Sequence, residues 1–170
     1  MEQTVTTSTT KGIVISLILI VIALLSYFLN MNTSSWLQYL SYAVFVVGII
    51  WSVNMYGQQI DHNSTFGNYF AHGFKIAALV TAIMIIYIVI FVYLFPDVRE
   101  KAMDTARERM QSKGNMTQEQ INTALGFTKR FFMVFIVGAT LIGYLIFGAL
   151  ASLIGAGITK KNPRPIEIDR

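Results

Sequence analysis

The chain has 170 residues, of which 54% are hydrophobic and only 13% charged, and it contains no cysteine. A charged fraction about half the ~25% of soluble domains leaves too little polar surface for so small a fold, which excludes a soluble globular protein and points to lipid as solvent. The net charge of +4 lies at the ends of apolar runs and in one charge-balanced segment, which excludes a nucleic-acid footprint, and the missing cysteines exclude disulfides and thiol chemistry.

Residues 1–11 form a polar, Thr-rich leader that is expected to be disordered. The first apolar run, 12–29, has nearly the length needed to cross the hydrocarbon core. It lacks the small-residue pattern of a cleavable signal peptide, so an uncleaved span is expected. A short uncharged turn, Asn30 to Ser35, leads into a second run over 36–56, and so short a link demands an antiparallel helical hairpin. Trp36, Tyr39 and Tyr42 gather at one end of this run and Trp51 and Tyr56 at the other, as aromatic residues do at the two membrane interfaces.

A polar link carrying Asp61 and His62 follows, with Ser64 or Thr65 placed to cap the next helix. Phe66, Tyr69, Phe70 and Phe74 share one helical face, which predicts an interfacial amphipathic turn before a third span over 74–95. Lys75 stands near the start of that span, where its ammonium can reach the headgroups.

Pro96 interrupts the helix. From Asp97 a charged helix is expected, with Val98, Ala102, Ala106 and Met110 on one stripe and an Asp97–Lys101 pair. Gly114 suits a left-handed stop, and Thr117 with Gln120 reads as a capping box, with Met116 and Ile121 as the accompanying staple. Residues 97–128 therefore form an extramembrane helical hairpin between the third and fourth spans. The fourth span covers 131–158. Gly148, Ser152 and Ala156 line one face of it at four-residue spacing, a close-approach stripe for packing within the chain or against a second copy. The tail 162–170, with two prolines, is expected to be irregular. The fold class is thus all-α: a four-helix transmembrane bundle over 12–161 with one extramembrane hairpin.

The segment 97–130 carries seven Lys/Arg and five acids, while the termini and the middle loop together carry six Lys/Arg. Lys11 before the first span and the unopposed Lys160 and Lys161 after the last place both termini in the cytoplasm.

Candidate chemistry is sparse. Ionisable residues inside spans mark ion paths and proton relays, and here only Lys75 stands at a border, which argues against proton coupling or voltage sensing. His62 and His72 lie ten positions apart, and with Asp61 they are too few and too scattered for a metal site. No serine sits in a nucleophile elbow, and no glycine-rich phosphate loop occurs. No catalytic, cofactor-binding or metal-binding residue is assigned, and no cofactor is expected.

The stretches FGNYFAHGFK (66–75), FPDVREKA (95–102) and MTQEQINTAL (116–125), with the Gly/Ala-rich last span ending in Lys160-Lys161, occur in order across residues 12–161. In these the chain resembles the bacterial domain-of-unknown-function family 4199. The resemblance implies a small four-span protein of a bacterial cytoplasmic membrane and carries no site residues with it. The function expected is that of a non-enzymatic accessory or scaffold subunit. Its partners are the lipid bilayer, a protein met through the 97–128 hairpin, and a second copy met through the Gly148/Ser152/Ala156 face. The alternative is an oligomeric small-solute transporter or channel, with Tyr87, Tyr93 and Tyr144 along its path. A lipid- or glycan-modifying enzyme would have to draw on Asp61, His62, His72 or Asp97.

Overall fold

A computed structural model describes residues 6–29 and 35–162. Its first helix starts where a side chain first captures an orphan amide: the Thr7 hydroxyl accepts from the Thr10 amide at 3.3 Å. Helix α1 therefore spans Ser8–Phe28, and the last residues of the expected leader, Ser8 to Lys11, are helical. The rest of the leader up to Val5, the turn Asn30 to Ser34, and the tail from Pro163 onward lie outside the described residues.

Helix α2 is Ser35–Gln59 and α3 is Phe66–Leu94. The amphipathic turn expected before the third span and the span itself are one uninterrupted helix, because no proline separates them and Thr65 caps its start. Pro96 ends that helix as expected, and α4 (Asp97–Ser112) begins at the next residue. Gly114 adopts the left-handed φ of 67° that a residue without Cβ tolerates. Both bonds of the capping box then start α5 (Gln118–Arg130): Thr117 N–H donates to Gln120 Oε1 at 2.8 Å, and Gln120 N–H to Thr117 Oγ1 at 3.3 Å. After Phe131, α6 runs Phe132–Ile158. Among the described residues there are six helices and no strand.

Four of these helices, α1, α2, α3 and α6, are long and apolar enough to cross a membrane. Large apolar side chains such as Leu17, Val47, Ile86, Val134 and Ile154 stand exposed on them, an outer surface that suits lipid.

Packing divides the chain into two units. The first comprises the described residues of Met1–Met84 and Ile142–Arg170. Its core is built from Ile15 and Leu19 of α1, Phe45, Ile49 and Val53 of α2, Ile76 and Val80 of α3, and Ala151 and Ala156 of α6. Small residues set the helix spacing. A methyl group on Gly148 would overlap the Ala77 side chain, and one on Gly73 would stand 2.8 Å from Ser152 Oγ. Gly148, Ser152 and Ala156 are all buried within this unit, so the close-approach stripe serves packing within the chain.

The second unit is Ile85–Leu141. Here α4 and α5 pack on one another, with Ile121 and Leu125 buried and no residue of α4 fully so. Asp97 and Lys101 form the expected pair at 3.2 Å. Tyr87 stacks on Phe91 near the end of α3, and Phe91 meets Phe95, just past that end, with its ring tilted by 44°.

Candidate functional site

Most polar groups on the apolar helices are satisfied locally. The hydroxyls of Ser16, Ser26, Thr81, Thr140 and Ser152 each donate to the carbonyl four residues earlier, at 2.6–2.8 Å. Nothing chemical is left over at these positions.

One group of residues in the first unit departs from that pattern, and it is built around Tyr56. Ser52, Tyr56 and Gln59 recur at helical spacing on α2 and so share a face. Against this face lies Lys11, whose ammonium donates to the Ser52 carbonyl at 3.1 Å and stands 6.0 Å from the centre of the Tyr56 ring. From α3, the His72 imidazole stacks on the same ring, with centroids 4.0 Å apart and planes within 6°. Tyr69 meets that ring edge-on at 6.1 Å. Lys11 is 6% exposed and Tyr69 fully buried.

The satisfaction of this cluster is incomplete. Tyr69 Oη, His72 Nε2 and Gln59 Oε1 are buried without a hydrogen-bond partner among the described residues, although the Gln59 amide donates to Thr6 Oγ1 at 3.2 Å. Buried polar atoms are rarely left so, and such a group commonly holds ordered water or a small polar ligand. No carboxylate bridges to Lys11 among the described residues. The cluster is therefore a cation with neutral hydrogen-bonding groups nearby, a set suited to binding.

Lys11 is the residue that sequence reading misplaced. It was expected as a flanking charge in a polar leader, but it lies within α1 and is buried. A lysine at the boundary of an apolar run looks the same whether it faces water or a neighbouring helix, and the deciding contact, Ser52, is far away in the chain. One of the two supports for the orientation, a free positive charge before the first span, thereby weakens.

The other expected residues scatter. His62 and Asp61 both take left-handed φ angles, 58° and 52°, in the tight turn after α2. His62 is engaged with backbone: its amide donates to Gly57 O at 2.7 Å, its carbonyl accepts from the Asn162 amide at 2.8 Å, and its Nδ1 lies 3.1 Å from Lys160 O. It ties the middle loop to the segment after α6. No group of three metal-ligating residues occurs among the described residues. Lys75 is exposed. Tyr144 packs with Tyr42 and Phe45 in the first unit, while Tyr87 and Tyr93 belong to the second.

Four apolar helices of membrane-crossing length, with a buried polar cluster between α1, α2 and α3, are the marks of a small helical membrane protein. The chain belongs to the family described as protein of unknown function DUF4199, which it matches over residues 10–161. No curated protein and no solved structure matches the chain. Family membership brings no functional residues with it, so the chemistry must be read from the cluster and the surface.

Proposed function

We propose that this chain is an integral, four-span protein of a bacterial cytoplasmic membrane, with both termini in the cytoplasm, that acts as a non-enzymatic accessory or scaffold subunit. The observation that carries this reading is the character of the α4–α5 pair. Its apolar residues Ile121 and Leu125 are buried, while Glu100, Lys101, Asp104, Arg107, Glu108 and Arg109 stand outward or at the edge. A pair of helices that buries Ile121 and Leu125 in its own packing, and whose exposed side carries both signs of charge, suits a polar and reversible contact with a partner protein.

The test is to replace residues 97–125 by a short flexible linker. Insertion of the remaining spans is expected to persist while a partner captured from native membranes is lost. Unchanged capture would reject docking through the hairpin. The absence of native cysteine makes sidedness accessible. Ser112→Cys is expected to react with a membrane-impermeant thiol reagent in intact cells, and Lys160→Cys only after permeabilisation. The reverse pattern would invert the orientation.

The transporter or channel reading draws on one specific observation: Lys11 is a buried cation in one of the apolar helices, and such residues mark pathways through a membrane. It requires an assembly of several copies. Cross-linking in native membranes that stops at monomer would remove it.

A further inference from the structure

In the second unit, Arg99 meets the adjacent cations Lys129 and Arg130, thirty residues further along the chain, beside an apolar wall. Pro96 ends α3 and starts α4, which places Arg99 in the first turn of the new helix. Lys129 and Arg130 close α5, where the free carbonyls of a helix C-terminus attract positive charge. The Arg99 guanidinium donates through Nη2 to one of these carbonyls, that of Lys129, and its centre lies 5.8 Å from the middle of the Phe132 ring. These two contacts hold the guanidinium in place, yet its Nε is buried and has no partner among the described residues.

Arg99, Lys129 and Arg130 line an open groove of about 380 Å³. The remaining walls are apolar: Val92 and Tyr93 from the end of α3, Pro96, and Phe132 and Met133 from the start of α6. No carboxylate lines it. The groove thus sits where two long apolar helices reach their ends, the depth at which lipid headgroups begin. Tyr93 is 84% exposed beside it, and Leu94 and Val134 continue an uncovered apolar surface away from it.

We propose that this groove binds the phosphate headgroup of an anionic phospholipid. Three cations with no carboxylate among the lining residues call for an anion, and a phosphate supplies several oxygens for them to share. The adjoining apolar surface calls for acyl chains, for which a free phosphate ion has no use. A zwitterionic headgroup would bring its own ammonium toward the three cations. Basic pockets between membrane helices bind anionic headgroups by the same physics. The volume accommodates a headgroup of ordinary size. The inference rests on the membrane-spanning reading of α3 and α6.

The experiment uses the full-length protein reconstituted into vesicles of equal phosphatidylglycerol and phosphatidylcholine, extracted gently, with the co-purified lipid identified by mass. The wild-type protein is expected to retain the anionic lipid about tenfold over the zwitterionic one. Arg99→Gln is expected to reduce that preference about tenfold, and Lys129→Gln with Arg130→Gln to do the same while leaving the Arg99 contacts to backbone and ring in place. Lys160→Gln with Lys161→Gln, at basic positions outside the groove, is expected to leave it unchanged. Equal loss at Lys160/Lys161 would show general surface attraction and overturn the site. Displacement of the lipid by millimolar inorganic phosphate would overturn the lipid as the ligand. A carbonate wash separates the two levels of failure: protein stripped from the vesicles sinks the membrane reading itself, whereas protein retained without lipid preference sinks only the headgroup site.

Discussion

The ammonium of Lys11 donates to the carbonyl oxygen of Ser52 across 3.1 Å, joining α1 to α2 at a point where both are buried. A backbone carbonyl inside a helix already accepts one bond, so it offers the ammonium a dipole and no compensating charge. Desolvating a cation for so small a return is unfavourable.

Lys11→Met keeps the length of the side chain and removes the charge. It is expected to stabilise the detergent-solubilised protein by about 1 kcal/mol, or roughly 2–4 °C in thermal midpoint. Lys11→Glu, which would face a carboxylate to the Ser52 carbonyl, is expected to lower the midpoint. A lowered midpoint in the methionine variant would show that a bound anion or water makes the ammonium a net contributor.

Tyr69 presents the same question with a neutral group. Its hydroxyl is buried with no partner among the described residues, so Tyr69→Phe is expected to leave stability unchanged or raise it by about 1 kcal/mol. A loss of similar size would mean that the hydroxyl is satisfied by water or ligand. Denaturant-induced loss of helicity in mild detergent reads this directly.

Two glycines of α6 make a controlled comparison. Gly148→Ala pushes a methyl into the Ala77 side chain and is expected to cost about 1–3 kcal/mol. At Gly143 an added methyl meets nothing within 4 Å, so Gly143→Ala is expected to gain about 0.5–1 kcal/mol through helix propensity alone. Thermal midpoints that fall equally in both variants would refute the close α3–α6 approach.

The capping box gives a local test. Thr117→Ala removes the acceptor for the Gln120 amide and is expected to cost about 1 kcal/mol, with faster amide exchange over 118–121. Thr117→Ser is expected to restore protection. Thr123→Ala, whose hydroxyl merely bonds back to the Glu119 carbonyl, is expected to stay within ~0.5 kcal/mol of wild type. Equal exchange in the Thr117 and Thr123 variants would remove the cap from the account of α5.

The elements that were legible from the residues share one property: each depends on near neighbours in the chain. Pro96 stops α3 because its own ring forbids continuation, and Thr117 starts α5 through a residue three positions away. The four apolar runs are visible because their length answers to a bilayer of fixed thickness. The start of α1 escapes composition, because Thr7 caps a stretch whose residues read only as polar.

By itself, then, the sequence determined an all-helical chain, four helices greasy enough for lipid, and the proline, glycine and threonine that divide the charged segment into two helices. Tertiary structure alone decided that Lys11 turns inward onto Ser52, that His72 lies flat on Tyr56, and that Arg99 meets Lys129. Helix formation follows from a few consecutive side chains, but a buried charge or a cationic groove exists only where helices distant in the chain close upon one another. No periodicity within one segment records which face of another it will meet.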